Sequence, residues 1–228
     1  GVNAELLLHP GWSQLLHPFV RWIGLRAREA DDALALAGGG DNQRLDLQRF
    51  ASAGALVPVA LKDDAELKDY AWRVAGCVGE FWTKLGYLTM GERFSSSDEN
   101  EMIRLGVNYG KGLQLINILR DLPADLAQGR CYLPVENPAD REQLMACHRR
   151  WIERADVWIG DGLRYESTLT MRRLQVASVI PAMIARETLG LMKNASWDAL
   201  KAGVKVPRIK VYAMLIKAFC GRSLRDEN

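Results

Sequence analysis

The sequence predicts an all-α protein. From Asp64 onward, apolar residues recur at three- and four-residue spacing, and helix-breaking residues separate the segments. Alternating β-branched runs bounded by hairpin turns are almost absent, so strand signals are weak. We therefore expect one helical domain over residues 1–228. Its helices are expected at about 65–88, 98–121, 137–165, 167–193 and 207–220.

The first 60 residues give weaker signals. A helix is expected to end near Leu36, a flexible glycine-rich linker follows at 37–45, and a short helical piece begins within Asp46–Phe50. The three glycines of the linker do not form a dinucleotide-binding fingerprint, because no strand precedes them and their spacing is wrong.

The composition narrows the functional classes. Of the 228 residues, 48% are hydrophobic, which is ample for a packed core. The net charge is only +2, so no overall field attracts nucleic acid, and no nucleic-acid partner is expected. The four cysteines lack disulfide density and metal-site spacing, which is typical of a reducing, cytoplasmic setting. The apolar runs are shorter than the roughly 20 residues of a membrane-spanning helix.

The second of the expected helices carries a small and polar face. Ser96 and Glu99 form a capping box, so the helix is expected to begin near them. Since a helical glycine costs about 1 kcal/mol relative to alanine, glycines on this face indicate that something approaches closely, either a ligand or a neighbouring helix. At about 100° per residue, the face contains Gly106, Gly110, Gln114, Asn117, Asp121, Asp125 and Gln128.

Two carboxylates lie one helical turn apart at the end of this face. Asp121 and Asp125 can hold Mg²⁺ through hard oxygen ligands while the metal contacts substrate phosphates. Arg120 and Arg130 can add positive charge there, although Arg120 points partly away on an ideal helix. Such an acidic pair by itself is typical of a solvated face. The polar stripe and the following Tyr132 favour a metal site instead.

Several segments resemble one enzyme family. NYGKGLQLINILRDLPADLAQGRCYLP resembles the second aspartate motif of squalene/phytoene synthases, in which LQLxNILRDxxxD is followed by GRxYLP. YAWRVAGCVGEFW resembles the family's YCYxVAGxVG helix, and ASVIPAMIARETLGLM and VKVPRIKVYAMLIKA resemble its late helix and basic C-terminal segment. The resemblance implies an isoprenoid-synthase-like helical bundle around a central cavity, of which this chain is the C-terminal two-thirds.

The resemblance also implies roles for individual residues. Asp121 and Asp125 would be the Mg²⁺ ligands, with Arg120 and Tyr132 at the same catalytic end. The residues that contact the diphosphates or border the prenyl tunnel would be Tyr70, Val74, Ala75, Val78, Gly79, Gly110, Gln114, Asn117 and Lys205.

Two of these regions have another interpretation. Without the family, the segment 70–82 is a small-residue packing face, which is compatible with a channel wall. Lys205 would belong to a solvated basic face together with Lys201, Arg208 and Lys210. Such a face can also rest on an anionic membrane beside a lipid-like substrate.

The family has two aspartate motifs, and only the second is evident in this chain. Arg28, Asp31 and Asp32 echo an RxxDDxxD pattern, but Ala35 stands where the last carboxylate belongs. Aligning Asp46–Phe50 with the DLxRF segment that follows the first motif makes Asp31 and Asp32 surface residues. On that alignment the first helices of the fold, with the first motif, are missing from this chain.

Two further positions depart from the family pattern. Pro123 lies between the two aspartates, where it removes a backbone donor, so the helix is expected to kink or end there. Thr188 stands near the place where relatives often have a tyrosine that lines the tunnel.

The resemblance implies a Mg²⁺-dependent prenyltransferase. It would join two farnesyl or geranylgeranyl diphosphates head to head, towards squalene, dehydrosqualene or phytoene, and squalene would also require NADPH. The alternative is a non-catalytic helical binding or assembly protein that keeps the fold. The missing first motif favours this alternative, whereas Gln114, Asn117 and Asp121 favour the enzyme. A class I terpene cyclase is a weaker hypothesis, because its NSE-type metal motif is not visible.

Overall fold

The computed structural model describes residues 49–51, 54 and 57–220 of the chain. The expected linker at 37–45, the helix ending near Leu36 and the pair Asp31 and Asp32 lie outside these residues. Helices dominate the described part, which confirms the all-α prediction. They are α1 (Asp64–Ala71), α2 (Cys77–Met90), α3 (Glu99–Ala127), α4 (Arg141–Thr168), α5 (Arg172–Lys193), α6 (Trp197–Ala202) and α7 (Arg208–Phe219).

Two features of this series were not expected from the sequence. A π-helical turn, Trp72–Gly76, joins α1 to α2, so the expected single helix is widened in its middle. The short helix α6 was missed because six residues are too few to show a clear period. Its signal was Ser196, whose hydroxyl accepts a hydrogen bond from the Ala199 amide at 3.2 Å.

The start of α3 differs from the expected capping box. Asp98 is the N-cap residue, and its carboxylate accepts a hydrogen bond from the Glu101 amide at 3.0 Å. The prediction that Ser96 caps the helix is therefore wrong. Ser96 instead donates its backbone amide to the Thr168 carbonyl at 2.9 Å, which ties the start of α3 to the end of α4.

Pro123 does not end α3, which continues to Ala127. In a regular helix the Leu119 carbonyl would accept a hydrogen bond from the amide of residue 123, and proline has no such donor. His148 of α4 lies 3.1 Å from that carbonyl through Nε2 and takes the place of the missing donor. A tertiary contact thus satisfies the carbonyl that Pro123 leaves open.

Helix α3 lies at the centre of the described bundle. It packs against α4 on one side and against the π turn and α2 on another, and α5 contacts both α3 and α4. The Tyr109 hydroxyl donates to the Ser178 carbonyl at 2.7 Å, which links α3 to α5. The core between these helices is aliphatic and aromatic, and its fully buried members include Leu115, Leu119, Leu122, Leu144 and Ile159.

A two-stranded parallel sheet fastens the segment before α1 to the segment after α3. Strand β1 (Val59–Ala60) pairs with β2 (Arg130–Cys131). The Val59 amide donates to the Gly129 carbonyl at 2.9 Å, and Gly129 has a φ of 83°, which favours glycine. In the part of the chain described here, no helix is both long and apolar enough to cross a bilayer.

Candidate active site

The small residues of the helix α3 face meet a neighbouring helix. A Cβ atom added to Gly79 would lie 2.0 Å from the Gly106 carbonyl oxygen, and one added to Gly110 would lie 2.2 Å from the Ala75 oxygen. Backbones therefore touch where the face is smallest. The sequence allowed either a ligand or a neighbouring helix to approach these glycines. At Gly106 and Gly110 the structure has a neighbouring helix.

The π turn lies beside this contact. It contains Val74 and Ala75, and Val78 follows it in α2; all three are partly buried. Single π turns are frequent at functional sites, because the extra residue displaces side chains from their regular helical directions. Tyr70 precedes the π turn at the end of α1, and the segment that follows meets α3 at Ala75 and Gly79.

Each aspartate of α3 is paired with an arginine. The Arg120 guanidinium donates from Nε to Asp121 Oδ1 at 2.8 Å and from Nη2 to Asp121 Oδ2 at 2.6 Å. Arg130 Nη2 lies 3.3 Å from Asp125 Oδ1 and donates to Gln128 Oε1 at 2.7 Å. Arg120 thus turns towards the carboxylate next to it. Two carboxylates and two arginine side chains meet at the end of α3.

The two carboxylates differ in exposure. The Asp121 side chain is 46% exposed and the Asp125 side chain 19%. Gln114 and Asn117 precede them on the same face and are partly buried. The face therefore passes from a closed helix contact at Gly110 to an accessible acidic end at Asp121.

The donor set suits Mg²⁺. This ion prefers hard oxygen ligands and is normally held by one or two carboxylates, with water and phosphate oxygens as the other ligands. Asp121 and Asp125 supply two such carboxylates in the last two turns of α3, where the helix dipole also favours a cation. Within residues 57–220 and the few described before them, no group of three or more histidine, cysteine, aspartate or glutamate side chains is placed to hold a metal.

Aromatic rings close the same end of the bundle. Tyr132, which follows β2, is buried, and its ring centroid lies 5.0 Å from that of Tyr70. Phe50 packs edge-on against Tyr132 at 5.1 Å. Since Arg130 is two residues before Tyr132, this aromatic cluster lies next to the charged end of α3.

The remaining candidate residues lie elsewhere. Lys205 lies between α6 and α7 and is exposed. Lys201 of α6 and Arg208 and Lys210 of α7 are exposed as well, and Lys210 pairs with Glu187 of α5. The four basic side chains are thus exposed to solvent. Thr188 is buried, and its hydroxyl donates to the Ile184 carbonyl of its own helix at 2.7 Å.

Sequence reasoning missed two buried polar residues of α4. His148 supports the Leu119 carbonyl, as described above. Asp161 accepts a hydrogen bond from Asn108 Nδ2 at 2.7 Å and lies 3.5 Å from an Arg104 nitrogen, which fixes α4 to the first half of α3. Pro123 was the signal that a donor is needed near Leu119, but the sequence does not show which helix supplies it.

The helix arrangement and the paired carboxylates define an isoprenoid-synthase-like helical protein. The chain belongs to the squalene/phytoene synthase family, which it matches over residues 41–210. It is 32% identical over 162 residues to a presqualene diphosphate synthase of Zymomonas mobilis, covering 68% of this chain and 51% of that protein. It is 30% identical over 166 residues to a bifunctional lycopene cyclase/phytoene synthase of Neurospora crassa, covering 67% of this chain and 26% of that protein.

Solved structures show the same fold. A ligand complex of TcSQS matches with a TM-score of 0.60 at 22% identity, covering 70% of this chain and 50% of that one. A dehydrosqualene synthase complex matches with a TM-score of 0.54 at 19% identity, covering 72% and 58%. The chain spans about half the length or less of the curated relatives named above.

Proposed function

We propose that this chain is a Mg²⁺-dependent prenyltransferase, or part of one, that condenses two prenyl diphosphates head to head. Family membership supports this proposal, because relatives include proteins named presqualene diphosphate synthase and phytoene synthase. The observation that carries it is the acidic end of α3. There Asp121 and Asp125 lie one turn apart, and each is paired with an arginine.

The charged residues are proposed to bind the two diphosphates. Asp121 and Asp125 would hold Mg²⁺, which would supply positive charge to offset the charge on a diphosphate. Arg120 and Arg130 carry fixed positive charge within reach of the same carboxylates, and a guanidinium can donate two parallel hydrogen bonds to a phosphate. The Gln114 side-chain amide, about two turns before Asp121, can orient the phosphate oxygens.

The apolar and small residues are proposed to hold the prenyl chains. In this proposal the partly buried Tyr70, Val74 and Val78 line one side of the polar face, and Tyr132, whose ring lies 5.0 Å from that of Tyr70, closes its end. Such walls exclude water from an allylic cation, which would otherwise be hydrolysed. Departure of diphosphate from one substrate leaves this cation. The double bond of the second substrate attacks it, and loss of a proton closes the three-membered ring, which gives a cyclopropylcarbinyl diphosphate.

Several finer proposals follow from the family. Asn117 contacts a diphosphate, Ala75, Gly79 and Gly110 set the width of the channel, and Lys205 reaches a diphosphate from the segment before α7. The substrates are farnesyl or geranylgeranyl diphosphate. NADPH takes part if squalene is the product.

A product assay tests the proposal. The chain is incubated with radiolabelled farnesyl or geranylgeranyl diphosphate, with and without Mg²⁺ and NADPH, and the hydrocarbon and diphosphate products are separated. Mg²⁺-dependent product should form and should fall by at least about a hundredfold in Asp121→Asn, since a preorganised charge is lost. Asp156→Asn, at an exposed position of α4, is the matched control and should keep full activity.

The same assay distinguishes the non-catalytic alternative. If neither the unchanged chain nor Asp121→Asn forms product, the result supports either a binding protein that keeps the fold or a chain that is only part of the enzyme. If product forms equally well with Asp121→Asn and Asp125→Asn, the proposed metal site is wrong.

Helix α7 supports a second proposal, peripheral association of a cytoplasmic protein with an anionic membrane. Ile209, Tyr212, Ile216 and Phe219 are all exposed and recur at three- and four-residue spacing, so they form one apolar stripe. Basic side chains flank the stripe, as in helices that lie in a membrane interface. Arg208 is one of them.

Vesicle sedimentation tests this association. Binding to phosphatidylserine-containing vesicles should exceed binding to neutral vesicles and should fall in the double variant Ile209→Ser, Ile216→Ser. Leu88→Ser, which changes an exposed apolar residue of α2, is the control and should bind as the unchanged chain does. Equal binding by the unchanged chain, the double variant and Leu88→Ser would show that α7 does not mediate the association.

A further inference from the structure

A buried histidine replaces a backbone donor inside the helix that carries the aspartates. His148 is fully buried on α4, and its Nε2 lies 3.1 Å from the Leu119 carbonyl oxygen. A carbonyl only accepts hydrogen bonds, so the imidazole donates its Nε2–H. The usual donor would be the amide of residue 123, which is a proline.

Only one of the two ring nitrogens of His148 makes a hydrogen bond to the residues that the structure describes. The other ring nitrogen, Nδ1, is buried and has no hydrogen-bond partner among the residues that the structure describes. The ring is therefore a neutral Nε2–H tautomer, and burial lowers the pKa of His148 below its usual range, with a smaller contribution from Arg149. Its single hydrogen bond is directed at the open carbonyl of α3.

The position of this bond along α3 connects it to the acidic end. Asp121 and Asp125 lie two residues before and two residues after Pro123. Without the His148 bond, the Leu119 carbonyl would lose the donor that takes the place of the missing amide, and the turn before Pro123 would be held to α4 by one bond fewer. The direction of both carboxylates depends on that turn.

We propose that His148 is a positioning residue: its bond to the Leu119 carbonyl holds the end of α3 so that Asp121 and Asp125 point to one ligand. That Asp121 and Asp125 share one ligand rests on the proposed function, whereas the hold of His148 on the end of α3 concerns the helix alone. The competing view is that His148 only fills space in the core. The two views differ in what Pro123→Ala does.

A double-mutant cycle separates the two views. Pro123→Ala returns a backbone N–H to the helix, so the Leu119 carbonyl no longer needs the imidazole. His148→Leu, which removes the donor and keeps an apolar side chain, should speed amide hydrogen exchange in segment 122–127 by roughly tenfold, the equivalent of one hydrogen bond. In the Pro123→Ala background, the same substitution should change exchange in that segment by less than about twofold. Segment 102–106, at the start of the same helix, should not change in either background.

His148→Gln is the conservative variant, because its side-chain amide can donate to the same carbonyl. It should retain exchange protection in segment 122–127. If His148→Leu does not fold alone, the double variant with Pro123→Ala should fold. Equal acceleration of both segments, or a His148→Leu effect that Pro123→Ala leaves unchanged, would show that the histidine only fills space and would overturn the proposal.

Calorimetry tests whether the His148 hydrogen bond affects ligand binding at Asp121 and Asp125. Binding of inorganic pyrophosphate in the presence of Mg²⁺ should weaken roughly tenfold in His148→Leu and should recover in the double variant. Unchanged binding in His148→Leu would overturn the link between the bond and the aspartates, even with the exchange cycle as expected. If the unchanged chain binds no pyrophosphate, the proposed function fails, and the exchange cycle still decides whether His148 holds the end of α3.

Discussion

Gly79 and Gly106 bring the backbones of α2 and α3 into direct contact. A Cβ atom on Gly79 would lie 2.0 Å from the Gly106 carbonyl oxygen, a distance that real Cβ atoms do not adopt. The contact continues one turn further, where Gly110 meets the Ala75 carbonyl. This contact fixes the spacing of the two helices that carry the family's matching segments.

Alanine at Gly79 should therefore destabilise the protein, although alanine is the better helix former. The helices must separate to admit the methyl group, so we expect Gly79→Ala to lower the free energy of unfolding by about 1–3 kcal/mol. Gly160→Ala in α4 is the control, because nothing lies within 4 Å of its added Cβ. It should raise the stability by about 0.5–1 kcal/mol. Urea denaturation measures both, and equal effects would contradict the close contact.

The buried His148 should make the protein sensitive to mild acid. Its folded-state pKa is lowered by burial from an unfolded value of 6.5, so below pH 6.5 the unfolded chain binds a proton that the folded chain does not. Its contribution to stability is present above pH 6.5 and falls by about 1.4 kcal/mol per pH unit as pH drops towards the folded pKa. Denaturation at pH 7 and pH 5 should show a larger loss for the unchanged chain than for His148→Gln. Parallel losses would mean that the folded state accommodates the charged ring.

The cysteines should react in an order set by burial. Cys131 is fully buried, and burial raises its pKa to about 11. Since the thiolate is the nucleophile, we expect Cys131 to react with iodoacetamide at pH 8 at least about a hundredfold more slowly than free cysteine. Cys220 is exposed and should be labelled first. Peptide mass spectrometry over time gives the order, and early labelling of Cys131 would contradict its burial.

Alkaline pH should lower the free energy of unfolding through a contact between α2 and α4. Burial raises the pKa of Tyr165 to about 12, and its hydroxyl lies 3.1 Å from the Thr83 hydroxyl. Because the folded pKa is raised, the stabilising effect is complete below pH 10 and declines between pH 10 and 12, by about 1.4 kcal/mol per unit. Tyr165→Phe should remove this part of the decline. Stability curves of the two proteins at pH 9 to 11 test it, and identical slopes would show that Tyr165 ionises normally.

Much of the fold could be predicted from local patterns. The expected helices at 98–121 and 167–193 correspond to α3 and α5, because apolar periodicity and polar caps act within a few residues. The errors occur where a residue distant in sequence intervenes. Asp98 and not Ser96 caps α3, since the Ser96 amide is used by the Thr168 carbonyl of another helix. A backbone partner that is distant in sequence cannot be inferred from a capping pattern.

The sequence by itself determined the all-α class, the order of the helices and the motif that contains Asp121 and Asp125, because side-chain type and spacing along one helix are sufficient for these. Only the tertiary structure decided that the small face of α3 is filled by Gly79 and Ala75, and that His148 takes over from the amide missing at Pro123. These outcomes depend on which helices become neighbours. Helix neighbours are set by the joint packing of the whole core, and no single stretch of sequence contains that information.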